Sequence, residues 1–187
     1  RYRATHTAPG VEMVLGTGVE ALEGAQRVER VRTSNGRVID CDFVVAGIGA
    51  TPRTALAENT GIVVDNGLVT NALLETAVPG IFAAGDVANA HHPLFGQLRV
   101  EHWANALHQG PAAARNMLGV ADALDRVLDH PVAYERIPYF YSDQYEVGME
   151  YSGHTTGGEE VVFRGDPGSR AFIAFWLSDE RIVAGMN

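Results

Sequence analysis

The stretch Thr76-Ala77-Val78-Pro79-Gly80-Ile81-Phe82-Ala83-Ala84-Gly85-Asp86 decides how this chain is read. Residues 81–84 form an apolar run suited to a strand covered on both faces. Gly85 lacks a Cβ, so the backbone there can come close to whatever lies beyond the strand end. Asp86 then places a carboxylate at the carboxyl end of the strand, where open α/β sheets bind ligands. Such a carboxylate accepts charge-assisted hydrogen bonds from a polyol, worth roughly 1.5 to 3 kcal/mol each. A Gly-Asp pair after a strand is also a common capped turn, so its meaning depends on the motifs around it.

Upstream, Phe43-Val44-Val45-Ala46-Gly47-Ile48-Gly49 reads as a second two-sided apolar strand, closed by glycines and by the breaker Thr51-Pro52. Asp65-Asn66-Gly67 predicts a hairpin over residues 62–70. Earlier still, residues 27–32 and 38–40 flank the tight-turn sequence Ser34-Asn35-Gly36, and residues 11–15 alternate weakly, which together predict a small β-meander. Gly16-Thr17-Gly18-Val19-Glu20-Ala21 fits the loose GxGxxA dinucleotide pattern. That pattern needs a following helix whose N-terminus meets the pyrophosphate, whereas here Glu23-Gly24 interrupts and a hairpin follows, so it reads as a glycine-rich connection. Gly47 and Gly49 have no third glycine in register, and neither nucleotide fingerprint is complete.

Downstream, residues 99–118 predict a helix with Val100, Trp103, Ala104, Leu107, Pro111, Ala114 and Leu118 on one side and Gly119 as its stop. Glu101, Asn105 and His108 share another face, with His102 and Gln109 beside it. Polar groups and an indole at one helix start suit a flavin ring, although core packing is the ordinary role of such a Trp. Pro111 removes a backbone hydrogen bond and predicts a kink. His91, His92, His102 and His108 lack the i,i+4 spacing of a helical metal pair, so no metal site is expected. No triad or nucleophile-elbow spacing is present either.

Beyond Asp122 the composition changes, and residues 125–135 read as a connector into a mostly stranded unit. Val147, Met149 and Tyr151 alternate with polar or small neighbours. Residues 161–164 and 171–177 meet across Gly165-Asp166-Pro167-Gly168, and residues 181–186 return, giving an antiparallel meander. Ahead of it, Ile137-Pro138-Tyr139-Phe140-Tyr141-Ser142-Asp143-Gln144 is an aromatic cluster without an evident period, able to stack on a planar ligand or on its own domain.

The chain has 187 residues, 46% of them hydrophobic, enough to bury a core. All 14 basic residues are Arg, and the net charge of -9 argues against a nucleic-acid surface. Cys41 is the single cysteine, which excludes a paired-thiol redox centre within the chain. No apolar run approaches the roughly 20 residues of a membrane span and no signal core follows Arg1-Tyr2-Arg3, so no membrane attachment and a cytoplasmic location are expected.

Residues 46–52 (AGIGATP), residues 80–86 (GIFAAGD), Arg99-Val100-Glu101-His102-Trp103 with Asn105-Ala106, and residues 138–144 (PYFYSDQ) together resemble the ferredoxin and rubredoxin reductase family of FAD-dependent pyridine nucleotide-disulfide oxidoreductases, which includes apoptosis-inducing factor. The four motifs occur in family order along nearly the whole chain. The resemblance implies α/β plus α+β architecture and a C-terminal fragment: residues 1–49 as the later half of an NAD-binding domain, 50–122 as the returning segment of an FAD-binding domain, and 123–187 as most of a C-terminal reductase domain. It implies that Gly85 and Asp86 hold the FAD ribitol and pyrophosphate region, that Glu101, His102 and Trp103 sit beside the isoalloxazine and nicotinamide, that Tyr141 lies near the flavin, and that Gly49 lines the nicotinamide-nucleotide side.

The family chemistry carries electrons from NAD(P)H through FAD to a ferredoxin-like iron-sulfur protein, with no general base and therefore no catalytic residue assigned. The fragment alone is expected to be inactive and to hold FAD weakly, and a homodimer is left open. Two departures stand out: Pro111 occupies a position where a basic residue is usual, and the acidic C-terminal unit matches an acidic ferredoxin poorly. An NADH oxidase or apoptosis-inducing-factor-like flavoprotein without an iron-sulfur partner, and a non-catalytic dimerisation or binding module, are the competing readings.

Overall fold

The computed structural model describes residues 2–120, 131–169 and 171–187. The expected connector at 125–135 therefore lies largely outside the described residues. The chain divides into two compact units, residues 1–50 and 51–187, each taken by itself below. The fold is mixed α/β with mostly antiparallel sheets.

In the first unit, a short helix α1 (Tyr2–Thr7) precedes three antiparallel strands in the order β1 (Val19–Glu23), β2 (Arg30–Thr33) and β3 (Val38–Asp40). The meander follows from its turn. Gly36 takes φ +83°, its N–H donates to the Thr33 carbonyl at 2.9 Å, and the Thr33 hydroxyl donates to Asn35 Oδ1 at 2.6 Å. Glu23 stands between Arg30 and Arg32 at 2.9 and 2.8 Å, and hydrogen bonds from Arg32 and Arg30 hold its carboxyl below the usual range. The GxGxxA segment runs into β1 rather than into a helix, in keeping with its reading as a connection.

The expected strand over residues 43–49 does not form. Phe43 is 74% exposed and Ile48 95%, and neither makes a ladder pairing among the described residues. A two-sided apolar strand is stable only between two neighbouring strands with cover on both faces, and none of these lies beside this run among the residues of its own unit.

In the second unit, β4 (Leu68–Thr70) pairs parallel with β5 (Ala88–His92), which pairs antiparallel with β6 (Gly96–Arg99). The expected hairpin over 62–70 is reduced to a single bridge, Val64 to Leu68, with the Asp65 N–H donating to the Gly67 carbonyl at 2.9 Å. Residues 81–84 are likewise not a strand. Gly80 turns at φ +79° and folds them back, so that the Thr76 N–H donates to the Ile81 carbonyl at 2.8 Å and the Ala83 N–H to the Leu74 carbonyl at 3.0 Å. A turn this close to the run leaves length for one bridge, Glu75 to Phe82. Leu74, fully buried, centres the small core with Ala90 and Ala113.

Helix α2 spans Trp103–Val120 and runs through Pro111. Arg99, expected at its start, is the last residue of β6. The face it buries is the reverse of the expected one: Asn105, Gln109, Ala113 and Asn116 are buried, while Trp103, Leu107, Pro111, Ala114 and Leu118 are exposed. The cause is what α2 packs against. Asn116 Nδ2 donates to the Leu73 and Val132 carbonyls at 2.8 and 3.0 Å, and its Oδ1 accepts the Val132 N–H at 2.9 Å. Gln109 Oε1 accepts the Gly85 N–H at 2.8 Å, and Asn105 Nδ2 donates to the Val100 carbonyl at 3.1 Å. Irregular chain brings unpaired backbone groups inward, and amide side chains are the residues that satisfy them.

The remaining strands form a five-stranded antiparallel sheet in the order β7 (Tyr139–Gln144), β8 (Val147–Gly153), β11 (Arg181–Met186), β10 (Ala171–Ser178) and β9 (Glu160–Asp166). Three of its strands match the expected meander. The aromatic cluster, expected to be irregular, supplies the edge strand β7. Its period was hidden because both alternating sets are aromatic: Tyr139 and Tyr141 on one face, Phe140 on the other.

Candidate functional site

The site grows from two chain reversals that Arg99 ties together. The backbone turns at Gly85 with φ +75°, entering a single 3-10 turn, Gly85–Val87, that leaves Asp86 exposed. Ala84 and Gly85 are held from below, where the Gly85 N–H meets Gln109 on α2. Arg99 Nη1 donates to the Asp86 carbonyl at 3.0 Å, its Nε donates to Asn66 Oδ1 at 3.2 Å, and its Nη2 pairs with Glu101 Oε1 at 2.6 Å. The Arg99 side chain is only 12% exposed. A planar guanidinium with donors in fixed directions can engage three acceptors at once, which a lysine could not do with the same geometry. The result is a fixed spacing between the Asp86 turn and the residues that lead into α2.

His102 lies at the centre. Burial pushes its imidazole below the ordinary histidine range, against the opposing pull of the Asp86 and Glu101 carboxylates and the Tyr139 main chain. Its Nδ1 is buried with no hydrogen-bond partner among the described residues. Its carbonyl accepts the Asn105 N–H at 2.9 Å and opens α2. The ring packs on Phe140 at 4.9 Å, Phe140 stacks on Tyr151 at 5.0 Å, and Tyr151 meets Trp176 edge-on at 5.5 Å. A cavity of about 590 Å³ opens between these rings and the β6–α2 junction, lined among others by Arg99, Glu101, His102, Phe140, Tyr151 and Trp176.

The structure thus brings the Asp86 and Glu101 carboxylates within electrostatic reach of His102, with Gly85 shaping the turn. Trp103, next in the chain, is 70% exposed on the first turn of α2. Tyr141 is 56% exposed on β7, on the strand face opposite Phe140 and opposite the cavity wall that Phe140 forms. Neither Trp103 nor Asp86 lines the cavity. Gly49 takes φ +96° with open space around it. It belongs to the unit of residues 1–50.

Sequence reasoning missed Arg99 and Gln109 as organisers. Arg99 was the first residue of a quoted motif, but three acceptors scattered over residues 66, 86 and 101 leave no local spacing. Gln109, which shares its helix face with the amides Asn105 and Asn116, was the available signal. The cavity's far wall, Tyr151 and Trp176, comes from strands that the sequence showed only as half-buried.

With this geometry in view, the family is settled: the chain belongs to the pyridine nucleotide-disulphide oxidoreductase family, matched over residues 1–110, and residues 139–186 match the reductase C-terminal family. It is similar to the putidaredoxin reductase CamA of Pseudomonas putida, with 34% identity over 98% of this chain and 42% of that protein. It is also similar to the ferredoxin–NAD(+) reductase component of the anthranilate 1,2-dioxygenase system of Burkholderia cepacia, with 36% identity over 96% of this chain and 42% of that protein. Among solved structures, the covalent putidaredoxin reductase–putidaredoxin complex superposes with a TM-score of 0.86 at 33% identity, covering 100% of this chain and 43% of that one. The chain therefore spans less than half the length of these relatives.

No helix among the described residues is long and apolar enough to cross a membrane.

Proposed function

We propose that this chain is part of an NAD(P)H-dependent FAD oxidoreductase that passes electrons to a ferredoxin-like iron-sulfur protein in the cytoplasm. In this reading residues 1–49 belong to the NAD-binding domain, 50–122 to the FAD-binding domain and 123–187 to the C-terminal reductase domain. Two relatives that are ferredoxin-type reductases by name, one of them solved joined to its putidaredoxin, support the class. The observation that carries the reading is the Arg99 tie, which fixes an exposed carboxylate at Asp86 beside the start of a helix bearing an exposed indole.

The residues fit such a cofactor in kind. Asp86 offers acceptors to a polyol hydroxyl, and Trp103 and Tyr141 offer exposed aromatic faces to a planar ring. The orphaned Nδ1 of His102 offers a polar atom without a partner. Bound FAD would convert a two-electron hydride into two one-electron transfers. Glu101, fixed by Arg99, and His102, kept neutral by burial, orient and solvate without moving a proton. Gly49 would line the nicotinamide side, and a homodimer is part of this reading.

In the full-length gene product, Asp86→Ala should lower flavin content per chain several-fold, read by absorbance at the flavin bands. Unchanged flavin content would remove Asp86 from the site. NADH-dependent reduction of an added ferredoxin tests the acceptor. Consumption of oxygen with no ferredoxin reduction would instead establish an oxidase.

A further inference from the structure

We propose that this chain pairs with a second copy of itself through the free edge of the C-terminal sheet, β9 to β9, about a two-fold axis at Val162. The inference concerns how copies associate and does not depend on the electron-transfer reading. It starts from an imbalance between the two edges of the five-stranded sheet. The β7 edge lies beside α2. The β9 edge has no neighbour among the described residues, and all seven of its residues are exposed. Val161, Val162 and Phe163 form an exposed apolar run there, with no proline and no lysine. Exposed, long apolar edges are templates for pairing with another chain, and proteins usually blunt them. Here the charged side chains Glu160, Arg164 and Asp166 flank the apolar run without interrupting it.

The choice of occupant rests on register. In an antiparallel ladder, residues whose N–H and C=O point outward alternate with residues whose groups point back to β10. Two copies of one strand can pair only if each residue meets a partner of its own parity, so the two residue numbers in a pair must sum to an even value. Three central registers satisfy this, with the axis at 161, 162 or 163. An axis at Val161 sets Glu160 against Val162 and leaves Arg164 facing Gly158. An axis at Phe163 sets Glu160 against Asp166 of the other copy, like charges directly opposite, which is destabilising.

An axis at Val162 gives a different result on both faces. On one face Glu160 meets Arg164 of the second copy, Val162 meets Val162, and Arg164 meets Glu160. On the other face Val161 meets Phe163, twice. Asp166 faces Gly158 and meets no like charge. The strand is therefore complementary to its own antiparallel image in charge and in apolar surface, the condition for an isologous two-fold interface. A heterologous peptide would have to carry this same pattern to fit as well. The strand carries on through Gly165, φ +96°, to Asp166, which still pairs with Ala171, so Asp166 counts in every register. Phe163 is already positioned by Phe172, ring centroids 5.6 Å apart.

Sedimentation of the full chain over a range of concentrations tests this. A dimer is expected at high concentration, and Glu160→Arg and Arg164→Glu should each weaken it roughly tenfold or more. The double charge swap, Glu160→Arg with Arg164→Glu, should restore it, because each arginine again faces a glutamate. In a Cys41→Ala background, Val162→Cys should form an interchain disulfide on mild oxidation, since residues opposite each other on paired strands lie within disulfide range. Phe163→Cys alone should not. A chain that stays monomeric throughout, a dimer indifferent to both charge reversals, or a Phe163→Cys chain that crosslinks as readily as Val162→Cys would each overturn the proposal. The crosslinking comparison decides the matter even where a charge reversal impairs folding.

Discussion

The C-terminal sheet and the region around α2 belong to one compact unit but satisfy their backbones by different means. Residues 139–186 do so through their own ladder, in which neighbours in sequence pair antiparallel and β8 and β11 close the sheet across the β9–β10 hairpin. Residues 51–120 contain little ladder. Their loops are held by three buried amides on one helix, Asn105, Gln109 and Asn116. A ladder spreads its stability over many equivalent bonds, whereas an amide that holds two segments concentrates it in one side chain. The first arrangement is vulnerable at positions of backbone geometry, the second at positions of side-chain chemistry.

The largest expected effect breaks the ladder. Gly153 ends β8 at φ +121°, and a Cβ built there would lie 2.3 Å from the Val183 carbonyl oxygen and 2.4 Å from Ala184 Cα. Both contacts are backbone, so neither can step aside. Gly153→Ala should cost about 3 kcal/mol or more, from strain and overpacking together, seen as a lowered denaturant midpoint. Gly47→Ala, where nothing lies within 4 Å, serves as the control.

Asn116→Ala comes next. It removes three hydrogen bonds that join residues 73 and 132 to α2, for a loss of about 2–3 kcal/mol. An effect below half a unit would mean that the loops hold their place without the amide. Gln109→Leu keeps the volume but strands the buried Gly85 N–H, at a cost of about 1–3 kcal/mol. If Gln109→Leu proved neutral while Gly153→Ala unfolded the sheet, the contrast between the two regions would be stronger than drawn here.

The smallest expected effect is on pH dependence. Burial lowers the pKa of both His102 and His92 in the folded chain, so the unfolded chain binds protons more readily. Their contribution is therefore fully present above the unfolded histidine pKa of about 6.5 and is lost as pH falls toward the lowered folded values. His102→Asn should flatten the stability profile on the acid side, measured as denaturant midpoint between about pH 5 and pH 7. An unchanged slope would show that the ring is hydrated in the folded chain. His92, whose ring stacks on Phe95 at 4.7 Å, would account for the slope that remains.

The two regions also differ in how far the sequence announced them. The turns Ser34-Asn35-Gly36 and Gly165-Asp166-Pro167-Gly168 carry their geometry in residue type, and the strands they join follow by alternation. The outward carboxylate of Asp86 was legible for the same reason, since Gly85 takes the positive φ that only glycine adopts freely. The strands expected at 43–49 and 81–84 were read from apolar content, which reports a demand for cover without saying where the cover lies. In α2, periodicity located the helix but not its inner face. Packing on irregular loops selected the amides inward, against the usual weighting of hydrophobicity. The three-way engagement of Arg99 could not be read at all, because its acceptors are scattered along the chain.

Pro111 has a consequence for the exposed side of α2. Its ring removes the N–H that would have closed on the carbonyl of Leu107, one turn earlier. That oxygen therefore carries a lone pair without a helical donor, midway along a strip formed by Trp103, Leu107, Ala114 and Leu118. An otherwise greasy ridge thus contains a single polar notch, open to water or to an approaching amide.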